Sequence, residues 1–198
     1  RVRNSTGEVK VTLLMSLDAA GGPAALQVVT EAAQSSDEAL REAGIRTLGN
    51  WPDFAAADVL MKIASNSETS LTHYVLAMRG ALRLIVTSDS APLEDRVNLC
   101  FKAFDNARRD DEKRQVVAAM GAVPSPKVAE RLLALAKEGD FKAEAALAAV
   151  ELAGSMLRRD REAARDLAQK IRDLNVSDDV NSRAEAVMRG RPMRGRGR

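Results

Sequence analysis

The sequence predicts an all-α fold: a right-handed α-solenoid (alpha-alpha superhelix) of about five stacked antiparallel helix pairs with a C-terminal capping helix. Three observations carry that expectation. Of the 198 residues 45% are apolar and 29% charged, but only 3% are aromatic. Such an Ala- and Leu-rich mixture suits closely packed helices and serves sheets poorly, since sheets favour β-branched and aromatic side chains. Strand-like alternation appears nowhere over a useful length. Finally, an Ala/Leu-rich amphipathic stretch recurs along the chain, each time opened by a helix-starting residue.

Pro23, Pro52, Pro92 and Pro126 open four of these stretches: "GGPAALQVVTEAA", "NWPDFAAADVLMKIA", "SAPLEDRVNLCFKAF" and "PSPKVAERLLALAK". Proline is tolerated in the first helical turn, where its missing N–H would have no partner. The fifth, "RRDREAARDLAQKIRDL", has Asp160 as its expected N-cap. A further helical segment precedes each: "EVKVTLLMSLDAA", "DEALREAGIRTLGNW", "THYVLAMRGALRLIV", "DEKRQVVAAMGAV" and "KAEAALAAVELAGSML". Their apolar anchors Leu17, Leu48, Leu82, Met120 and Val150 are spaced by 31, 34, 38 and 30 residues. The irregularities fall in turns, where insertions cost least. The resulting pairs span about 6–35, 36–66, 69–107, 110–138 and 140–174, with a polar cap helix over 177–189. The repeat domain thus covers 1–188, and an Arg/Gly-rich flexible tail occupies 190–198.

Leu40, Gly44, Leu48 and Trp51 form one helical stripe, and Val128, Leu132 and Leu135 another. Small residues at Ala43, Gly44, Ala118, Ala119, Gly121, Ala146 and Ala149 are expected to let helices approach closely. Trp51, the only tryptophan, closes a first helix just before Pro52 turns the chain, so its indole is expected to wedge between neighbouring pairs. The chain opens "RVRNSTGEV" without a methionine, which suggests a fragment or processed product. On that reading the first helix leaves Val11 and Leu14 exposed and self-associates through that end.

The stretches "ALREAGIRTLGNWPDFAAADVLMKIA", "THYVLAMRGALRLI" and "DEKRQVVAAMGAVPSPKVAERLLALA" resemble HEAT repeats over roughly residues 8–175. They are similar to HEAT-like arrays of large bacterial multidomain proteins, often exported, where the array neighbours a keto-disaccharide-hydrolase-like or lectin-like domain. The resemblance implies an armadillo-like protein-binding scaffold or spacer without catalytic residues. It favours a periplasmic or exported location and leaves a cytoplasmic one open. Some HEAT-like proteins are DNA-alkylation-repair glycosylases or bilin lyases. The glycosylases gather Trp, Asp and Arg in the concavity, whereas Trp51 and Asp53 fall in an inter-helix turn.

The residues themselves offer little chemistry. His73 is the only histidine and is expected to cap or pack a helix start. Cys100 is the only cysteine, has apolar neighbours, and is expected to be buried and inert. One His and one Cys do not make an ordinary zinc site, and the scattered glycines form no phosphate loop, so no metal or cofactor is expected. Asp110, Asp111 and Glu112 sit at a helix start, where acids complement the dipole. No apolar run approaches the roughly 20 residues of a bilayer span.

Two binding surfaces remain. Second helices of HEAT pairs line the concave side, which would present Lys62, Arg96, Lys102, Arg131, Lys137, Arg165 and Lys170 to a protein partner, offset by Asp58, Asp95, Glu130 and Asp166. The net charge is +2, but five arginines lie in the last ten residues, so the remainder carries about −3. That tail, with Arg189, Arg191, Arg194, Arg196 and Arg198, is an alternative site for nucleic-acid phosphates. The chain otherwise lacks aromatic stacking platforms.

Overall fold

The structure, a computed structural model, describes residues 7–191. Among them the chain forms only helices, as the composition predicts. They are α1 (Gly7–Met15), α2 (Leu17–Ala20), α3 (Pro23–Ala33), α4 (Glu38–Gly49), α5 (Ala57–Ser65), α6 (Leu71–Thr87), α7 (Leu93–Asn106), α8 (Asp110–Met120), α9 (Pro126–Lys137), α10 (Lys142–Met156), α11 (Arg161–Leu174) and α12 (Asp178–Met188).

Pro23 and Pro126 open α3 and α9 as expected, and Asp160 caps α11 by accepting from Ala163 N at 2.9 Å. Asp37, Ser70 and Ser177 do the same for α4, α6 and α12. The other two prolines stand outside their helices. Pro92 is extended and precedes α7. Pro52 lies in a turn, and Asp53 then accepts from Ala55 N at 3.0 Å to start a 3-10 turn, Phe54–Ala56, that leads into α5. A free helical N–H needs an acceptor side chain, which proline lacks and Asp53 supplies. The first segment, expected as one helix, breaks at Ser16, whose hydroxyl donates to Leu13 O at 2.8 Å.

The helices gather into two units, residues 1–91 and 92–198, whose boundary falls between α6 and α7. In the first unit α4 packs on α3, α6 and α1, while α5 packs chiefly on α6. In the second, α7 packs on α8, α9 on α10, α10 on α11 and α11 on α12, and second-neighbour contacts join α8 to α10, α10 to α12 and α9 to α11. The prolines pair α4 with α5 and α8 with α9; the structure packs α4 more extensively on α3, and α9 on α10.

Three glycines set these distances. A Cβ on Gly44 would stand 2.4 Å from Ala33 N, so α3 and α4 meet backbone to backbone. A Cβ on Gly80 would lie 2.8 Å from Gly49 Cα, and one on Gly121 3.0 Å from Ala148 O. Ala43, Ala119, Ala146 and Ala149 are buried as expected, whereas Ala118 faces solvent. Of the expected anchors, Leu48, Met120 and Val150 are fully buried, but Leu17 and Leu82 are only half-buried. In α6 the buried stripe is Tyr74, Ala77, Met78, Ala81, Leu84 and Ile85, and Leu82 sits beside it. Leu40 and Leu135 are likewise only half-buried.

The expectation for the first helix fails at Leu14, which is fully buried where α1 packs on α4, its carbonyl accepting from Thr47 Oγ1 at 3.3 Å. Val11 is half-buried. The exposed apolar residues there are Val9 and Met15, at 62% and 53%.

The close approach at Gly44 is testable. Gly44→Ala gains about 1 kcal/mol of helix propensity but must displace the Ala33 backbone, and overpacking of this kind costs typically about 1–3 kcal/mol or more. A lower urea midpoint than wild type is expected; an unchanged or raised midpoint would contradict the contact.

Candidate functional site

An open groove of about 580 Å³ crosses the first unit from the end of α3, over α4 and α5, to the start of α6. Ile45, Val59 and Ile63 line it with apolar surface, and Glu38, Arg41, Lys62, Glu68 and His73 add charged and polar groups. Local hydrogen bonds shape its edges. Arg41 Nη1 donates to Ser35 O at 2.9 Å, tying α4 to the turn after α3. In the α5–α6 connection Asn66 Oδ1 accepts from Glu68 N at 3.0 Å and Thr69 Oγ1 donates to Ile63 O at 2.8 Å. Ser70 Oγ then accepts from His73 N at 3.3 Å, so the lone histidine stands in a capped first turn. Such a groove suits a polypeptide segment that offers apolar side chains to the floor and either charge to the rim.

Of the basic residues expected to line a binding face, only Lys62 lies in this groove. Lys102, Arg131, Lys137, Arg165 and Lys170 are exposed in the second unit. There Arg131 stacks over the Phe104 ring, 5.2 Å from its centroid, and Lys170 pairs with Asp166 at 2.6 Å. Arg96 is a correction: it is only 4% exposed and donates from Nη2 to Ala122 O at 3.0 Å. It shares the buried side of α7 with Val97 and Cys100 and serves the carbonyls just beyond α8. In the tail Arg189 pairs with Glu185 at 3.2 Å and Arg191 is exposed, while Arg194, Arg196 and Arg198 lie outside the described residues.

A second clamp, half-buried, went unread in the sequence. Arg83 donates from Nε and Nη2 to Gly49 O at 3.3 and 3.2 Å, and from Nη2 to Trp51 O. Burial lowers its pKa from the ordinary arginine value. The one available signal was an arginine set among Ala81, Leu84 and Ile85 on an apolar helix. Trp51 itself is fully buried, and its Nε1 has no hydrogen-bond partner among the described residues. Asp53 is exposed and caps the 3-10 turn after it.

The acidic run at the start of α8 is a cap. Buried Glu112 accepts from Arg108 N at 2.9 Å, Arg109 N at 3.1 Å and Arg109 Nε at 2.8 Å. Among the described residues no group of three or more His, Cys, Asp and Glu side chains is placed to hold a metal ion, and no helix is long and apolar enough to cross a membrane. Neither protein-family models nor curated proteins match the chain.

Cys100 is fully buried, and desolvation pushes its thiol from the ordinary 9.0 up to about 12. The thiolate is the nucleophile, so the native chain should resist alkylation near neutral pH and label with one equivalent only when unfolded. The unfolded thiol ionises first, so its stabilising contribution is complete below pH 9.0 and is lost as pH rises through about 12. Cys100→Ala should remove that part of the alkaline decline. Rapid native labelling would contradict the burial.

Proposed function

We propose that this chain is a non-catalytic scaffold, a HEAT-like α-solenoid whose groove holds a protein partner or whose length spaces neighbouring domains of a larger bacterial, often exported, polypeptide. Support comes from packing: within each unit the extensive contacts join helices close in sequence, the pattern of repeat arrays. The single observation that carries the binding role is the groove over α3–α6, open to solvent, apolar on its floor and charged with both signs on its rim. Exposed Val9 and Met15 support the accompanying proposal that the N-terminal end self-associates.

Lys62 and Glu68 are both exposed, so exchanging their charges (Lys62→Glu with Glu68→Lys) keeps the net charge and leaves the buried side chains untouched. A partner captured from the source cells and then purified should bind this variant at least about tenfold more weakly, roughly 1.4 kcal/mol. Lys170→Glu, in the other unit, should leave binding unchanged. A partner indifferent to the rim exchange would overturn the groove as docking face, and turnover of a substrate would overturn the non-catalytic reading.

A further inference from the structure

An arginine-rich turn and the end of α12, far apart in sequence, come together at one end of the second unit. "MLRRDRE" places exposed Arg158, Arg159 and Arg161 across the turn from α10 into α11, and Arg165 follows Arg161 one helical turn on. After α12 the chain folds back through Gly190, which has φ +72°. Gly190 N donates to Val187 O at 2.8 Å and Arg191 N to Ala186 O at 2.9 Å, a Schellman closure that fixes where the Arg/Gly tail leaves the fold. A Cβ on Gly190 would lie 3.9 Å from Arg161 Nη2. Between the two segments lies an open cleft of about 470 Å³, lined by Gly154, Ser155, Arg158, Arg161 and Gly190, with Glu151 as its one carboxylate.

Charge use distinguishes this cleft from its surroundings. Arg172 and Arg189 are tied to Glu185, and Arg183 to Asp179. Arg158, Arg159, Arg161, Arg165 and Arg191 form no ion pair with any described residue. Of the two acids among them, Asp160 accepts from the Ala163 amide as the cap of α11, and Glu162 stands exposed in its first turn.

We propose that this cleft binds the phosphodiester backbone of a nucleic acid. Its two cations, Arg158 and Arg161, are arginines, whose planar forks match phosphate oxygens in pairs, and neither forms an ion pair with a described residue. The large exposed apolar residues are Val9, Met15, Leu71, Val86 and Leu93, none on α10–α12. The cleft's one large apolar side chain, Leu157, is half-buried, and no aromatic ring lines it for bases to stack on, so recognition is of the backbone and independent of base sequence. This inference does not rest on the scaffold reading; the groove variant leaves it untouched.

The test is fluorescence anisotropy of a labelled single-stranded oligonucleotide of about 20 nucleotides against the full chain over a salt series. Neutralising four or five phosphates gives a slope of log K against log salt of about −3. Arg158→Ala with Arg159→Ala and Arg161→Ala should weaken binding at least about tenfold and remove about two units of slope, with an unchanged melting temperature. The corresponding three Lys substitutions should keep most of the slope. Deleting 192–198 should weaken binding while leaving its dependence on Arg158, Arg159 and Arg161 intact. The proposal is overturned if the chain binds no oligonucleotide at low salt or if the deletion abolishes binding that the alanine variant leaves whole. Phosphatidylserine vesicles binding as tightly as the oligonucleotide would also overturn it.

Discussion

Contact between helix backbones without an intervening side chain is the constraint on which the rest of this fold depends. Gly44 against Ala33 and Gly80 against Gly49 leave no room for a Cβ, and Gly121 against Ala148 leaves only a tight 3.0 Å. Helices held this close are lined by alanine, and the core is accordingly Ala-rich, with Trp51 and Tyr74 as its largest fully buried side chains. Close packing also buries helix ends, whose last carbonyls must still find donors. Arg83 and Arg96 answer that need from neighbouring helices, reaching Gly49 O, Trp51 O and Ala122 O. Two arginines that look like surface charges are thus consequences of the glycine contacts, each serving carbonyls that water reaches poorly.

The remaining charges divide by whether they are already satisfied. Around α11 and α12 the i,i+4 pairs Lys170–Asp166, Arg183–Asp179 and Arg189–Glu185 neutralise themselves on the surface, and exposed pairs of this kind contribute at most about 1 kcal/mol each. The groove of the first unit carries both signs on its rim, which fits a polypeptide with its own alternating charges. The cleft beside Gly190 carries a single surplus sign, which fits a polyanion. A mildly acidic fold can therefore hold a local basic site, and its overall charge says nothing about where that site is.

Sequence reasoning succeeded where one residue has one local job. Pro23, Pro126 and Asp160 start helices because backbone geometry at a first turn depends on few neighbours. It failed where packing decides. Pro52 and Pro92 lie outside the helices they were expected to open, and Leu82 was preferred to Leu84 and Ile85 because a 3.6-residue period alone does not fix the phase of a long helix. Leu14 was expected in solvent on the reading of the chain as a fragment, but α4, distant in sequence, covers it. Arg96 was placed on a binding face as a cation of a second helix, although its neighbours Val97 and Cys100 mark a buried stripe. The groove was legible only at Lys62, since its walls come from four helices. The arginine cleft was legible as two separate basic stretches, and the Gly190 turn that joins them appears only once α12 is packed.

Helix spacing set by bare glycines is tested most directly by nuclear Overhauser contacts at those residues. Strong cross-peaks are expected between the Gly44 α-protons and the Ala33 amide proton, and between the α-protons of Gly80 and Gly49. Resolved resonances for these residues with neither cross-peak would show helices separated by side chains, and the account of the core would be wrong.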